Sequence, residues 1–501
     1  MKRFWLGLLS FGLLMAFCTT AFAADVKFSG DYYLQGWYNK NASLLDKDSP
    51  VGPATTASYY QGRGSTAFYT QRVRMGANFT IAKGLTLGTR FDALERKWMA
   101  ARRTVPTGSP GYGATDSEAE NIAFDTAYVR FATPFGFFTI GNIPGVGFGT
   151  AYGDNPGFSS AALSYGLPTG PFYFSFSVRK LQEGYTISTS YPQGTPIGSG
   201  TDNDGDSYTL TASYRMKTGG VGASYTSIHA KNTNYPVTTT PNTYSYNMYA
   251  NSLSFYGRQK FGKLYIEDEF SWIFGKVLRW NEPKPPESLA GVYYLLVEKD
   301  AKNAFSNHFH VNVDMNPVLV GFRFVYSRGD DPETEDKMEG GFRSYLDVDK
   351  GFNPCLILFD QEYNHWMVAG GKRSTQTVGA LIGNTNSLNS VKTYVQNVWL
   401  YQLYGKFTAT SKLSFDASFT YAHADQLPTH NNVPTWRGGK KYLDKEYGKE
   451  LDLTMKYKIY DNLEYMIGAA YLWTGDYFKG FDPNAKLSDT YLITHKLTLT
   501  F

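Results

Sequence analysis

The sequence has few cysteines and few charged residues for its length. Only 2 of the 501 residues are cysteine, and charged residues make up 18% of the chain, below the roughly 25% that is typical of soluble domains. Cys18 lies in an apolar N-terminal segment, so a chain that loses this segment keeps only Cys355. An intramolecular disulfide is then impossible, which excludes a disulfide-stabilised secreted fold.

Long apolar runs are also missing after residue 24. No window of about 18 uninterrupted apolar residues follows that point, so the sequence does not predict a transmembrane helix. The mean hydropathy is −0.35, although aromatic residues reach 17% of the chain, with 39 Tyr and 35 Phe. The apolar residues are therefore dispersed along the chain and are not collected into helical spans.

The N-terminus has the three parts of a secretory signal peptide. Lys2 and Arg3 precede an apolar stretch, and residues 21–23 (Ala-Phe-Ala) supply a small-x-small cleavage site before Ala24. We expect residues 1–23 to be removed and residues 24–501 to form one domain. A retained anchor helix is the alternative, but the apolar stretch is short for one. Cleavage lowers the formal charge from +4 to +2, too little to imply a nucleic-acid partner.

Apolar and polar residues alternate with a period of two in many segments, which is the pattern of a β-strand with two different faces. In residues 447–460, Leu451 and Leu453 share one face while Asp452 and Thr454 share the other. The pattern predicts eighteen strands. They span residues 26–38, 68–80, 85–95, 121–132, 136–143, 159–167, 171–181, 206–217, 220–228, 245–260, 263–275, 303–315, 318–328, 391–407, 412–423, 447–460, 462–473 and 489–501.

The links between these strands alternate in length. Every second link is a tight turn of Gly, Pro, Asn or Asp, such as "AKG" at 82–84 and "DN" at 461–462. The links in between are mostly long and polar, and the longest runs from about 329 to 390. Short turns at one end, long loops at the other and an even number of antiparallel strands are typical of bacterial outer-membrane barrels, which must close because lipid cannot satisfy an open edge.

The sequence therefore predicts an all-β protein: a closed antiparallel transmembrane β-barrel of about 18 strands (16–20). Its apolar face would contact lipid and its polar face would line a lumen, with Tyr, Phe and Trp near the strand ends, such as Trp37 and Trp473, forming aromatic girdles. A soluble β-sandwich or propeller is the alternative, but it should carry fewer outward aromatic residues and less uneven loops.

Three features together resemble the Gram-negative porins: the leader, a first strand that follows it directly, and a last strand that ends on Phe501. This resemblance implies a channel in the outer membrane for passive diffusion of small hydrophilic solutes or ions, surrounded by lipid and lipopolysaccharide. It also implies that the barrel-assembly machinery reads the last strand through Phe501. The segment "ADVKFSGDYYLQGWY" leaves no room for a plug domain, so TonB-dependent uptake is not expected.

Residues 447–480 resemble the last hairpin of the alginate-export family, itself an eighteen-stranded channel. That resemblance implies a different function, export of an anionic polysaccharide, although the predicted lumen contains fewer arginines than the alginate channel. Porins of this size are commonly trimers and the alginate channel is a monomer, so a homotrimer and a monomer both stay open.

Strand parity predicts which charged side chains face the lumen. Arg72, Arg74, Arg90 and Asp92 lie on the polar faces of two strands joined by one tight turn, so we expect a basic cluster beside one carboxylate and a mild anion preference. The alternative is that such residues only solvate the wall and pair across strands. The further lumen candidates are Arg130, Arg215, Arg258, Arg323 and Lys456.

An inward-folded loop is expected to narrow the channel. The Gly-rich stretch at 143–158 follows the fifth strand, where many porins fold a loop into the pore, and it predicts that Tyr152, Asp154 and Asn155 face the channel. A surface loop is the equal alternative for this stretch. The links at 39–67 and 96–120 are further candidates.

The sequence offers little other chemistry. His308 and His310 share one strand face, but no neighbouring Cys or third His supports a metal, so we interpret them as lumen residues. Neither a cofactor nor a metal site is predicted. The sequence contains no H-E-x-x-H, G-x-S-x-G or phosphate-binding loop, so it does not predict an enzyme, and an outer-membrane hydrolase is the less favoured alternative.

Asp268 breaks the alternation, because it shares its face with Ile266, Phe270 and Trp272. A carboxylate in the middle of a lipid-facing strand is destabilising. The sequence therefore predicts either a bulge that shifts the register here or a contact with another subunit.

Overall fold

The structure is a computed structural model, and it describes residues 25–501 with several gaps. The predicted signal peptide lies outside the described residues, as do most of the links at 39–67 and 96–120. The gaps are residues 42–43, 45, 47–64, 99–121, 146–147, 154–158, 183–203, 236–243, 282–297, 342–351, 361–394 and 430–434.

The described residues form a single sheet of 19 strands. One of them, β14, has two residues and pairs in parallel with β12; the others form the eighteen antiparallel strands of the barrel. The strands are β1 Asp25–Lys40, β2 Ser65–Ala82, β3 Leu85–Lys97, β4 Ile122–Thr133, β5 Gly136–Pro144, β6 Ser159–Thr169, β7 Phe172–Gln182, β8 Gly205–Met216, β9 Gly219–Tyr235, β10 Tyr244–Phe261, β11 Leu264–Trp280, β12 Lys299–Asp314, β13 Val318–Ser327, β14 Lys337–Met338, β15 Val398–Thr408, β16 Leu413–His423, β17 Glu446–Tyr460, β18 Leu463–Thr474 and β19 Thr490–Thr500.

The sheet closes into a barrel because its last strand pairs with its first. β19 runs antiparallel to β1, from Asp31 opposite Thr500 to Lys40 opposite Tyr491. The Gly30 N–H donates to the Phe501 carbonyl at 2.8 Å, which extends the ladder by one residue. The prediction of a closed antiparallel barrel of eighteen strands is therefore confirmed, since no long edge is left unpaired among the described strands.

The predicted turns are also confirmed. Links of two to four residues join β2 to β3, β4 to β5, β6 to β7 and every later hairpin at the same end of the barrel. Gly84, Gly170 and Gly262 stand in three of these turns with φ of 82°, 59° and 61°, a left-handed conformation that glycine adopts without a steric penalty. Two boundaries were wrong by seven residues: the strand predicted from residue 391 begins at Val398, and the strand predicted to end at residue 228 continues to Tyr235.

The two faces of the barrel differ as the parity predicts. On β8 and β17 the outward residues Leu210 and Leu453 are 56% and 53% exposed, whereas inward Ser207 and Glu450 are buried. The outer surface is therefore an apolar band, and on these two strands the inner surface is polar. Among the described residues, no helix is long and apolar enough to span a membrane.

Trp37 and Asp268 were both predicted to face outward, and only one of them does. Trp37 was predicted to belong to the outer aromatic girdle, and this was wrong: its side chain is buried, and its indole N–H donates to the inward Thr70 hydroxyl at 3.1 Å. Asp268 does face outward, and the register shifts of β11 lie elsewhere, beyond Ile273. The Asn307 amide donates to its carboxylate at 3.0 Å, so no bulge turns Asp268 inward.

Candidate functional site in the barrel lumen

Two segments of the long links lie inside the barrel. Residues 148–153, the first inward segment, follow β5, and residues 352–360, the second inward segment, precede β15. They touch each other through the rings of Tyr152 and Phe352, whose centroids are 5.5 Å apart in an edge-on arrangement. Side chains and loops from distant parts of the chain therefore meet inside the lumen.

The first inward segment is held by a carboxylate on the opposite wall. Glu269 of β11 accepts hydrogen bonds from the Thr150 backbone N–H at 2.6 Å and from the Thr150 hydroxyl at 2.8 Å. An added Cβ at Gly149 or Gly153 would lie 2.6 Å or 1.9 Å from a Glu269 oxygen and would displace this carboxylate, and Gly149 also has a φ of 100° that favours glycine. The Gly-rich composition of this stretch thus allows the backbone to approach the carboxylate closely.

His308 completes this attachment. Its Nδ1 lies 3.0 Å from the Thr150 hydroxyl oxygen, and its ring stacks on Tyr152 with centroids 5.7 Å apart. Because the Thr150 hydroxyl donates to Glu269, His308 must donate through Nδ1, so the network places a proton on this nitrogen. Burial raises the pKa of the Tyr152 hydroxyl above its usual value, so this hydroxyl is uncharged at neutral pH.

His310 belongs to a neighbouring polar network on the same strand. Its Nδ1 lies 2.9 Å from Glu267, and its Nε2 lies 2.6 Å from the Tyr404 hydroxyl. The Tyr265 hydroxyl donates to the other oxygen of Glu267 at 2.7 Å. Both histidines therefore face the lumen, as predicted, and each has protein partners.

A second carboxylate holds the second inward segment. Glu450 of β17 accepts the backbone N–H groups of Leu356, Ile357 and Leu358 at 3.0, 2.6 and 2.7 Å. The thiol of Cys355 donates to the Thr420 hydroxyl at 3.4 Å. Three successive N–H groups converge on one carboxylate, a concave arrangement that favours a negative charge.

The second inward segment buries its own apolar side chains in the lumen. Ile357, Leu358 and Phe359 are almost completely inaccessible to solvent, which explains why this link contains apolar residues. Burial, and then the nearby Glu450 and Asp452, raises the pKa of the Cys355 thiol well above its usual value. The thiol is therefore protonated at neutral pH unless a cation binds it.

The inner surface behind these two segments is inaccessible to water. We call it the covered wall. It consists of inward residues of β11–β19 with at most 2% exposure and includes Glu269, Ser306, His308, Val325, Leu400, Gln402, Thr420, Glu450, Leu472 and Leu492. These side chains point into the barrel, so only material inside the lumen can bury them.

The inner surface of β8–β10 is different. Apart from Tyr256, Arg215 and Arg258, many of its inward residues are small and half-buried, and several pair with each other: the Thr209 and Thr226 hydroxyls lie 3.0 Å apart, and those of Thr211 and Ser224 lie 3.3 Å apart. We call this surface the small-residue wall. It comprises Thr209, Thr211, Ser213, Gly222, Ser224, Thr226, Ser252 and Ser254.

The arginines predicted to form a basic cluster do lie together on β2 and β3, but they are paired. Arg74 makes a bidentate pair with Asp92 at 2.7 and 2.6 Å. Arg72 donates to Asp31 at 2.9 Å, and Arg90 donates to Asp125 at 3.2 Å. The prediction of a single carboxylate was wrong, because the cluster contains three carboxylates beside three arginines.

Sequence reasoning missed two of these carboxylates for different reasons. Asp31 lies on the inward parity of β1, so the alternation of this strand could have identified it as a lumen residue. Asp125 is the extra residue of a bulge, because Arg90 pairs with Thr126 and Phe91 pairs with Phe124. A bulge redirects side chains locally, and the alternation of β4 changes parity there: outward Phe124 has an even number and outward Val129 an odd one.

The remaining predicted lumen residues lie on inward positions and are dispersed around the barrel. Arg323 donates to Gln402 at 2.5 Å, and Lys456 pairs with Asp416 at 3.4 Å. Arg130 lies over the Phe137 ring, 3.7 Å from its centroid. For four of these arginines, no carboxylate of the described residues forms an ion pair. These four are Arg130, Arg215, Arg258 and Arg323.

The predicted constriction residues can be placed only in part. Tyr152 is 2% exposed and lies inside the barrel against β12. Asp154 and Asn155 lie outside the described residues. The arrangement brings Tyr152 close to His308 and Phe352 and does not bring it close to the arginine cluster on β2 and β3.

No family model matches the chain, and no curated protein matches it. The chain is similar to solved structures of outer-membrane proteins. OccK9 (OpdG) of Pseudomonas aeruginosa is 12% identical, with a TM-score of 0.48 and coverage of 95% of this chain and 99% of that one. OpdK of the same organism is 8% identical, with a TM-score of 0.45 and coverage of 95% and 99%.

The outer membrane channel DcaP of Acinetobacter baumannii is 9% identical, with a TM-score of 0.39 and coverage of 96% of this chain and 99% of that one. These identities and TM-scores are low. The description of the barrel therefore rests on the strand pairing of this chain alone.

Proposed function

We propose that this chain is a passive diffusion channel for small hydrophilic solutes and ions in the outer membrane of a Gram-negative bacterium. The half-buried hydroxyl groups of the small-residue wall carry the proposal, because they remain accessible to water inside a closed barrel. Small side chains leave space in front of β8–β10, and hydroxyls replace part of a solute's hydration. Solutes would pass along this wall, beside the two inward segments.

The membrane location is supported by the outer surface. Outward Leu210, Leu403 and Phe255 are 56%, 59% and 46% exposed, and a soluble monomer rarely exposes such a large contiguous apolar surface. We propose that residues 1–23 are cleaved during export and that residues 24–501 form the mature barrel. The β19 strand that ends at Phe501 would be the segment that the barrel-assembly machinery recognises.

We attribute a mild anion preference to three of the further lumen candidates, and not to the predicted cluster of Arg72, Arg74 and Arg90. The Arg72, Arg74 and Arg90 charges are balanced by three neighbouring carboxylates, so their net field is small. Arg130, Arg215 and Arg258 lack such partners among the described residues and lie near the short turns. A cation without a neutralising partner concentrates anions in the lumen.

Planar-bilayer recordings of the purified protein across a salt gradient test this proposal. The Arg130→Ser, Arg215→Ser, Arg258→Ser triple variant should shift the reversal potential toward cations. The control variant combines Arg74→Ser with Asp92→Asn, which preserves net charge and should leave the reversal potential nearly unchanged. Absence of conductance in the wild-type protein would contradict the proposed channel function. An unchanged reversal potential in the triple variant would contradict only the assignment of the anion preference to these three arginines.

Export of an anionic polysaccharide is the alternative that the resemblance of residues 447–480 suggests. A polyanion needs a continuous row of cations, and the pairing of Arg72, Arg74 and Arg90 interrupts such a row on β2 and β3. Adding alginate oligosaccharides to the bilayer chamber separates the two functions. Concentration-dependent block by these oligosaccharides, with no block by neutral sugars of equal size, would favour export.

We also propose that the outer face around Asp268 contacts a second copy of the chain. Asp268 lies between Gly257 on β10 and Phe309 on β12, and a charge there is unfavourable against lipid. Mass measurement of the detergent-solubilised protein by light scattering tests this. A trimer that dissociates in the Asp268→Leu variant would support the contact, and a monomeric wild-type protein would contradict it.

A further inference from the structure

A thiol and two carboxyl groups converge inside the lumen, where the second inward segment meets β17. The sulfur of Cys355 and one oxygen from each of Glu450 and Asp452 all lie within 4.8 Å of one another. The three residues are 4%, 0% and 6% exposed. Sulfur and carboxylate oxygen are both ligands of thiophilic divalent cations.

One of the two carboxyl groups, that of Asp452, has an incomplete set of hydrogen-bond partners. Glu450 is satisfied by backbone N–H groups, and one oxygen of Asp452 accepts from the Ser418 hydroxyl at 3.1 Å. The other oxygen, Oδ1 of Asp452, is buried and has no hydrogen-bond partner. Buried acceptors without a donor are uncommon because their desolvation is uncompensated. The unpartnered oxygen of Asp452 therefore indicates that a proton or a cation binds here.

Two species can supply this positive charge: a shared proton or a metal ion. The carboxyl groups of Glu450 and Asp452 lie within hydrogen-bond reach of each other, and two ionised carboxylates repel at that distance. No lysine or arginine of the described residues forms an ion pair with either group. A shared proton would leave the thiol of Cys355 without a role beyond its weak bond to Thr420.

The thiol of Cys355 favours a metal ion over a shared proton. Tetrahedral zinc has metal–sulfur and metal–oxygen distances of about 2.3 and 2.0 Å, which place its ligand atoms about 3.3 to 3.5 Å apart. The three ligand atoms, which lie within 4.8 Å of one another, must move closer by at most about 1.5 Å to reach these separations, and the Thr420 hydroxyl oxygen beside Cys355 or a water can take the fourth position. A soft sulfur ligand selects zinc or cadmium over calcium or magnesium.

We propose that Cys355, Glu450 and Asp452 bind a thiophilic divalent cation of the zinc class. Binding displaces the thiol proton, forms a metal–sulfur bond and neutralises the two carboxylates. The cation then ties the second inward segment to β17 through Cys355, in addition to the hydrogen bonds of Glu450. The site would fix how much of the lumen the segment covers.

The sequence does not show this site because its ligands are far apart in the chain. Cys355 lies in a long link, whereas Glu450 and Asp452 lie on the inward parity of β17, where they resemble ordinary lumen residues. The sequence around these three residues has neither the ligand spacing of known zinc motifs nor a second cysteine. Only the docking of the second inward segment brings the three ligands together.

Cadmium titration of the purified barrel tests the proposal, with the protein refolded in the presence of the ion so that burial does not prevent loading. We expect an ultraviolet sulfur-to-cadmium charge-transfer band that saturates at one ion per chain, and no band in Cys355→Ser. Asp452→Asn should weaken binding about tenfold or more. Asp416→Asn, which changes an inward carboxylate that pairs with Lys456, is the matched control and should bind as wild type does.

Two results would overturn the site. Absence of the band in the folded wild-type barrel would show that the carboxyl pair shares a proton. A band of unchanged affinity in both Glu450→Gln and Asp452→Asn would show that the thiol alone captures the ion. Heat-dependent gel mobility checks that each variant has a folded barrel, and a failure of Cys355→Ser alone to fold is resolved by Cys355→Ala, which removes the sulfur without burying a hydroxyl.

Discussion

Ser224 and Ser306 are both serines on inward positions of the same sheet, yet their environments differ. Ser224 on β9 is half-buried, whereas Ser306 on β12 is fully buried. Their strands are of the same kind, so the difference arises from what lies in front of each one. The comparison of the small-residue wall with the covered wall shows that the inward segments, and not the strands, decide where water enters the lumen.

The position of the inward segments follows from the chemistry of the walls. Glu269 and Glu450 on the covered wall accept backbone N–H groups from the two segments, which satisfies loop groups that would otherwise be buried without partners. On the small-residue wall, the hydroxyls of Thr211 and Ser224 are within hydrogen-bond distance of each other. A segment thus gains charge-assisted hydrogen bonds on one wall and has few comparable acceptors on the other.

The largest effect should come from removing the carboxylate that holds the second inward segment. Glu450→Ala leaves three buried N–H groups without an acceptor, which weakens the docking of residues 352–360 by about 3 kcal/mol or more. The covered wall should then become accessible. We expect single-channel conductance to rise well above wild type, with larger current fluctuations.

Glu464→Ala is the control for this change. It removes an inward carboxylate on β18 near the short turn, far along the strand from Glu450's level. Its conductance should stay close to that of wild type. Equal conductance in wild type and Glu450→Ala would show that the second inward segment does not limit the channel.

A smaller effect is expected from filling the space in front of the small-residue wall. Thr211→Trp introduces a large side chain on the proposed path, so conductance should fall by about half or more. Ala212→Trp is the matched control, because the next residue of β8 faces outward. A similar fall in both variants, or none in Thr211→Trp, would place the path elsewhere.

The smallest effect should come from loosening the first inward segment. Thr150→Val keeps the side-chain shape but loses the hydroxyl bonds to Glu269 and His308, a loss of about 1 to 2 kcal/mol. The backbone N–H bond to Glu269 remains, so mean conductance should change little while open-channel noise increases. Thr209→Val removes a hydroxyl from the small-residue wall and should leave the noise unaltered.

The architecture could be predicted from the sequence because it is encoded locally. The alternation in β8 and β17 and the tight turns at 82–84 and 461–462 gave the strand number and the inward faces. Each signal spans fewer than about 20 residues and follows from the period of two in a strand. Errors such as the position of Trp37 arose where an inward aromatic residue resembles an outer girdle residue.

The contents of the lumen could not be predicted in the same way. Glu450 and Ile357 are 93 positions apart in the sequence, and Glu269 and Thr150 are 119 positions apart. These contacts depend on how long links fold back into a closed barrel, and no periodic pattern records them. Likewise, the bulge at Asp125 turned an expected basic cluster into a neutral one.

Cysteine accessibility at the two serines tests the central claim most directly. Ser224→Cys and Ser306→Cys, each introduced into a Cys355→Ser background and isolated as the mature outer-membrane protein, should be modified by a charged methanethiosulfonate reagent at different rates. Both substitutions are nearly isosteric, so labelling reports access to water. We predict that Ser224→Cys is labelled about tenfold faster or more. Equal labelling rates would contradict the division of the lumen into a covered wall and a water-accessible one.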